Sequence, residues 1–421
     1  MNFAEIIKSA FDANKDNLGE QSVFTPVDEL VKCFDFKKAI NEKSDIGIMY
    51  NVEFLEYFLR DSNYINGKKF TYFYDSIVDR NLAFKVMMYY KYNNVELISI
   101  ENFNVKEFNM PKHFDVLFTN PPYNDGKDIS LLKNLIDNNM VDEIICVHPA
   151  SFLFNHNDTK AVKDIKNTNS LKEVTLFWGN DMFGGTEIKH AHCISVWNKE
   201  HNSSNVTIID KAFVERKDVY DVNTFSYNTD VNEITVHSLF HKKAFDFLKK
   251  FENCDSIFKN RTNIDSSEKT DYGFRISPIR RGLDYAKRNY GMFFSLFGNG
   301  AKALKDSMVD KNFKLSDYTM SCSTYKNNYP MWYFKTEEER QNFITYLKTK
   351  AVRFLLSLVK CNTNLNAGNP TRIIPWMDFT KTWTDEQLVK EFGIDAELWD
   401  YIDKFIPDYY EDYRNTARGN I

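Results

Sequence analysis

The chain has 421 residues, 54 Lys and Arg against 59 Asp and Glu, and a formal net charge of −5 at pH 7. That length is more than one ordinary hydrophobic core, so two domains are expected. The charge excludes a globally basic nucleic-acid coat and leaves room only for a local basic cleft.

Six cysteines (Cys33, Cys146, Cys193, Cys254, Cys322 and Cys361) lie far apart without a Cys-x-x-Cys pair. Such spacing fits reduced thiols in a cytoplasmic protein, not a disulfide framework or a structural zinc site. The N-terminal Met1 to Lys8 begins an amphipathic helix with no apolar signal core. No stretch reaches the roughly 20 apolar residues that span a membrane, so no membrane partner is expected.

In chain order, Asp45 to Tyr50 reads as a strand and Val52 to Leu59 as a helix. Phe70 to Tyr74 is a second strand ending at Asp75, followed by a helix over Asp79 to Tyr90. Val95 to Ile100 is a third strand, ending at Glu101-Asn102-Phe103. The run Val116-Leu117-Phe118 that leads to Asn120 is a fourth, with a helix through Leu131, Leu132, Leu135 and Ile136, and Glu143 to Val147 is a fifth. Strands alternating with helices at this spacing predict a doubly wound α/β sheet of the Rossmann-like kind. Further strands are read at 173–177, 191–197 and 206–209, with polar Asn202 to Asn205 as the turn of a closing hairpin. His190 and His192 alternate along one of these strands. With no acidic or cysteine partner at ligand spacing, they read as strand residues and not as a metal pair.

The run Val116-Leu117-Phe118 is apolar on both faces, as in a buried parallel strand. It delivers Asn120-Pro121-Pro122-Tyr123 just past its carboxyl end, where open α/β sheets place their ligands. Two successive prolines fix φ near −65° and extend the residue before each, so the Asn120 side chain and the Pro121 carbonyl sit in a stiff loop. Such a pair of acceptors suits a planar amine that is a poor nucleophile. Held on its two N–H groups, they would draw the nitrogen of adenine N6 towards tetrahedral geometry and aim its lone pair at an electrophilic methyl. The Tyr123 ring could stack on the base. An ordinary proline-rich loop after a strand reads the same four residues without chemistry. Asp75, after the second strand, has the place of the acid that takes the ribose hydroxyls of a nucleoside cofactor. The competing role is a helix cap together with Ser76. Asn102 and Phe103 could meet an adenine ring.

From about residue 233 the βα rhythm stops. Residues 258–291 carry a local charge of +4, with Arg275, Arg280, Arg281, Lys287 and Arg288 among the cations and Gly273, Pro278 and Gly282 as punctuation. Loop-borne cations of this kind fit phosphate oxygens and guanine edges, or a solvated surface of mixed charge. Glu337 to Lys360 reads as one long helix with an apolar stripe at Phe343, Leu347, Val352, Leu355 and Leu358.

Asn120-Pro121-Pro122-Tyr123, preceded by Phe24-Thr25-Pro26, resembles the N6-adenine DNA methyltransferases of restriction–modification systems, in the subgroup whose target-recognition domain comes last. His148 to Leu153, Asp181-Met182-Phe183-Gly184-Gly185 and Ile374 to Leu388 are similar to further segments of that family, and the likeness covers about residues 20–210 and 330–405. The resemblance implies a catalytic domain over 1–232 and a mixed α+β DNA target-recognition domain over 233–421. It implies S-adenosyl-L-methionine as cofactor, with Phe24, Thr25 and Pro26 packed over its methionine, and Asp75, Asn102, Phe103 and Asn120 completing the cofactor site. Tyr123 and Phe183 would sandwich a flipped adenine of double-stranded DNA. A cognate restriction endonuclease is an expected partner. One departure stands out: Asn51 and Glu53 occupy the turn after the first strand where the family carries glycine and a small residue. Glu53 could accept from the methionine ammonium. The altered turn also allows a DNA-binding protein without catalysis, and the same loop serves methylation of RNA or of a protein glutamine.

Overall fold

The computed structural model describes residues 7–9, 24–100, 108–123, 126–154, 160–178, 191–211, 225–235, 240–257, 259–260, 272–275, 331–359 and 372–406. They fall into two compact units. The first comprises Met1–Phe152, Asp158–Ala212 and Thr224–Asn232, and the second Leu153–Asn157, Phe213–Asn223 and Glu233–Ile421. Among the described residues, no helix is long and apolar enough to cross a membrane.

The first unit is built on one sheet of β1 (Asp45–Met49), β2 (Lys69–Tyr74), β3 (Val95–Ser99), β4 (Phe114–Thr119), β5 (Val141–Pro149), β6 (Leu171–Trp178), β7 (Ala191–Asn198), β8 (Asn205–Asp210) and β9 (Phe225–Asp230). The strands lie in the order β3-β2-β1-β4-β5-β7-β6-β8-β9. From β3 to β5 every pairing is parallel, and β7 runs antiparallel between β5 and β6. This is a doubly wound, Rossmann-like sheet. Its strand order reverses between β1 and β4, the switch point at which such sheets bind ligands beyond their carboxyl ends. Gly47 in the middle of β1 belongs to that contact, because a Cβ there would lie 2.6 Å from Leu117 Cδ1 of β4.

Helices follow where the apolar spacing changes from two to three and four. α1 (Val27–Leu30), α2 (Val52–Leu59), α3 (Ile77–Tyr90) and α4 (Lys127–Asp137) are those that frame the site. Phe54 and Phe58 of α2 and Phe36 are wholly buried against Phe118 of β4, with ring centroids of Phe58 and Phe118 4.9 Å apart. Each such side chain contributes on the order of 1.5–3 kcal/mol by leaving water, so α2 is clamped to the strand that carries the Asn-Pro-Pro-Tyr loop.

The expected hairpin at 202–205 does not form. β7 pairs with β5 and β6, while β8 pairs in parallel with β6 and antiparallel with β9. The polar stretch is therefore a connection that passes β6, and β9 had no counterpart in the sequence reading.

The second unit is mixed α+β. It contains α5 (His241–Lys249), β10 (Tyr272–Arg275), β11 (Met331–Phe334), α6 (Glu337–Lys348), α7 (Lys350–Val359), α8 (Asp385–Glu391) and α9 (Ala396–Phe405). β10 and β11 pair antiparallel. Buried Trp332, Phe334, Phe343 and Phe379 pack with Trp376 as an aromatic core. The expected single helix over 337–360 is broken at Thr349, which is extended at φ −61° and ψ 150°. The Asp385 carboxylate accepts the backbone N–H groups of Lys350 at 3.1 Å and Ala351 at 2.9 Å. It thereby caps a fresh N-terminus for α7, where a negative charge is favoured.

Candidate active site

β1 and β4 run side by side in register, Met49 opposite Thr119, so the loops that leave them start as neighbours. The turn after β1 is made without glycine: Tyr50 adopts φ 72°. That is a left-handed conformation few large side chains take. The next residue, Asn51, is the N-cap position of α2 yet makes no side-chain cap bond. Its buried Oδ1 instead accepts the backbone N–H of Asn120 at 2.6 Å. The position read as a departure from the glycine turn thus fastens the Asn120 loop.

Asn120 is 4 % exposed. Its Nδ2 donates to Thr25 Oγ1 at 2.9 Å, and its Oδ1 accepts from the Tyr123 hydroxyl. Pro121 and Pro122 are buried beside it. Burial pushes the Tyr123 phenol well above its usual range, so it stays a neutral donor. Its ring lies edge-on to that of His192, with centroids 5.7 Å apart.

Thr25 is fully buried, and its backbone N–H donates to Glu53 Oε1 at 3.2 Å. Pro26 occupies the N-cap position of α1. Arg60 fastens this helix to α2, bonding both oxygens of Asp28 at 2.6 and 3.0 Å and Glu56 Oε1 at 2.7 Å. Phe24, Thr25, Pro26, Glu53, Glu56 and Arg60 line a cavity of about 300 Å³, within the usual range of small-molecule sites. Burial pushes the Glu53 carboxyl up to about 8, against the pull of the backbone N–H groups of Glu53 and Thr25. At neutral pH the Glu53 carboxyl is therefore mostly protonated, and a cation seated beside it would favour its ionised form.

Asp75 stands at the carboxyl end of β2, half-buried. The cap of α3 falls to its neighbour, since Ser76 Oγ accepts the Asp79 N–H at 3.2 Å. Asp79 itself is buried and accepts from the Tyr72 hydroxyl at 2.6 Å. Burial pushes Asp79 up to about 8, with the Tyr72 bond pulling back. Sequence reasoning missed this pair, whose only signal was an acid on the inward face of a helix.

Asn102, Phe103, Phe183, Arg280, Arg281, Lys287 and Arg288 lie outside the described residues, as does the Arg275 side chain at the end of β10. The structure brings together Thr25, Asn51, Glu53, Asn120 and Tyr123.

A second polar network was also missed. His148 on β5 places Nε2 2.8 Å from Ser195 Oγ and Nδ1 3.4 Å from Asp128 Oδ2, and its ring stacks on Phe152. The grouping has the residue types of a hydrolytic triad. Ser195 and His148 are 0 % exposed, however, and Trp197 Nε1 also donates to Ser195 Oγ at 2.8 Å. The network anchors the end of β5 and admits no substrate. His113, Asp115 and Asp142 could converge on a cation at the other end of β4 and β5. There Asp115 already accepts the N–H groups of Ser44 and Asp45.

No family model matches the sequence, and no curated protein is similar to it. Solved structures do resemble it in fold. The methyltransferase subunit of a type I restriction-modification system from Streptococcus thermophilus shares 16% identity at a TM-score of 0.37, over 54% of this chain and 58% of that one. The type IIG restriction endonuclease BpuSI shares 10% identity at a TM-score of 0.41, over 96% of this chain and 68% of that one. The chain therefore spans less than two thirds of the first of these.

Proposed function

We propose that this chain transfers a methyl group from S-adenosyl-L-methionine to N6 of adenine in double-stranded DNA, with the target base flipped from the stack. The observation that carries this reading is the seating of Asn120. Its side chain, held by Thr25, stands in a proline-stiffened loop at the β1/β4 switch point whose backbone Asn51 pins, beside a cavity with a buried acid.

Glu53 would face the methionine ammonium and Asp75 the ribose hydroxyls, with Phe24, Thr25 and Pro26 closing over the methionine. When bound, the cofactor supplies an electrophilic methyl. Asn120 Oδ1 and the Pro121 carbonyl accept the two N–H groups of the adenine amine, and this draws its lone pair out of the ring. Tyr123, with Phe183 opposite, holds the ring by stacking. The amine then needs only to lose one proton after transfer, and no covalent adduct to the protein is required. The second unit would read the target sequence, with Arg275, Arg280, Arg281, Lys287 and Arg288 on phosphates and base edges. A restriction endonuclease would be the partner whose cleavage the methylation blocks.

The test is incubation of the full chain with S-adenosylmethionine and unmethylated mixed-sequence DNA, then mass spectrometry of the nucleosides. N6-methyladenine is expected with the parent. Asn120→Ala should lose about 10² or more in rate, as for one transition-state hydrogen bond, while DNA binding stays within a few-fold. A parent that binds cofactor but modifies only RNA or a protein glutamine, or no substrate at all, would overturn the DNA reading.

A further inference from the structure

A carboxamide is nearly symmetric in shape, so packing alone does not decide which end is oxygen and which is nitrogen. A hydroxyl partner can donate or accept, so it fixes where the amide sits and not which end is oxygen. For Asn120 to accept from an amine, Oδ1 must face the base and Nδ2 must be held away from it. Presented the other way round, the same side chain would offer two N–H donors to a group that is itself a donor.

We propose that Thr25 is a positioning residue that holds the Asn120 amide in place. Its Oγ1 accepts from Asn120 Nδ2 at 2.9 Å, which leaves Oδ1 for the side occupied here by the Tyr123 hydroxyl. Thr25 is fully buried, so no water competes for that hydroxyl. It is itself held from behind, since its backbone N–H donates to Glu53 Oε1 at 3.2 Å. Ninety-five positions separate Thr25 from Asn120, and the segment read as cofactor packing thereby becomes part of the machinery that aims the catalytic amide. Glu53, Thr25 and Asn120 form a relay from the cofactor cavity to the base site.

The inference rests on the proposed methyl transfer for its kinetic test only, so two readouts are used on the full chain. Thr25→Val replaces the hydroxyl with a methyl at equal size, and Thr25→Ser retains it. The first readout is hydrogen exchange of the Asn120 side-chain amide, followed on ¹⁵N-asparagine-labelled protein with the signal assigned by its loss in Asn120→Ala. Exchange should quicken by about tenfold or more in the valine variant, as for a lost buried hydrogen bond, and stay within about threefold in the serine variant. The second readout is methyl transfer at saturating DNA and cofactor. There kcat should fall by about 10- to 100-fold in the valine variant and recover in the serine variant, and saturating cofactor separates this from any change in cofactor Kd. Parental exchange and parental kcat in Thr25→Val would overturn the assignment. So would a loss confined to cofactor Kd, which is what a residue that only packs on the cofactor would give. If the parent transfers no methyl group, the proposed reaction falls and the exchange measurement alone decides the role of Thr25.

Discussion

The side-chain oxygen of Asn51 accepts the backbone N–H of Asn120 at 2.6 Å, so the loop that leaves β1 is fastened to the loop that leaves β4. Both residues are buried. An unmet N–H there would have no water to turn to. Asn51→Ala should therefore cost about 1–3 kcal/mol of stability, the penalty for a buried donor left without its acceptor. Urea unfolding followed by fluorescence measures it, and a parental midpoint would show that the bond contributes nothing.

Glu53 and Asp79 set a pH dependence opposite to that of ordinary carboxylates. Both are pushed up to about 8 in the folded chain, against roughly 4 when unfolded. Between those values the folded state holds protons that the unfolded state has released, so stability falls as pH rises from about 5 to 8. Each group contributes a slope of at most about 1.4 kcal/mol per pH unit. Glu53→Gln should flatten the profile in that window. Melting temperatures at pH 5.5, 6.5 and 7.5 decide, and an unaltered slope in the variant would remove Glu53 as its source.

Asp75 and Ser76 are adjacent and have separable roles. Ser76→Ala should cost about 1 kcal/mol through the lost cap of α3 and leave cofactor affinity alone. Asp75→Ala should weaken S-adenosylmethionine binding by about 1–2 kcal/mol, as for a lost ribose hydrogen bond, with little change in melting temperature. Titration calorimetry paired with thermal melts separates them, and the reverse pattern would give Asp75 the structural role.

The Tyr123 hydroxyl occupies the Asn120 side-chain oxygen, so under the proposed reaction an incoming adenine has to displace it. Tyr123→Phe keeps the stacking ring and removes that competitor, and turnover should stay within about tenfold of the parent. Tyr123→Ala should lose about 1–3 kcal/mol of base stacking. Equal losses in the two variants would mean that the hydroxyl, and not the ring, carries the function.

Much of the first unit was legible because its strands are short apolar runs set between breakers. Val52–Leu59 was read as a helix with the bounds the structure gives, and the run Val116-Leu117-Phe118 lies within the strand Phe114–Thr119. The errors share one cause, a distant partner. The strand after Asn202 to Asn205 failed to close a hairpin because its neighbour is β6, two strands back in the chain. The helix read through Thr349 breaks there under a cap from Asp385. The site was legible in its residue types, since Thr25, Asn51, Glu53 and Asn120 were all singled out. Their bonds to one another were not, because sequence spacing carries no sign that Thr25 and Asn51 both end on Asn120.

The position of β7 has a consequence for how the chain is made. β5 and β6 flank β7 on either side and do not pair with each other, so neither is complete until Ala191–Asn198 has been synthesised. Until then the growing chain holds a parallel sheet whose newest margin, Val141–Pro149, presents open backbone donors and acceptors along nine apolar-rich residues. Such margins are where nascent sheets pair with the wrong chain. Strand β7 therefore covers the β5 margin and moves the open edge of the sheet to β6, which stays open until β8 and then β9 have been added.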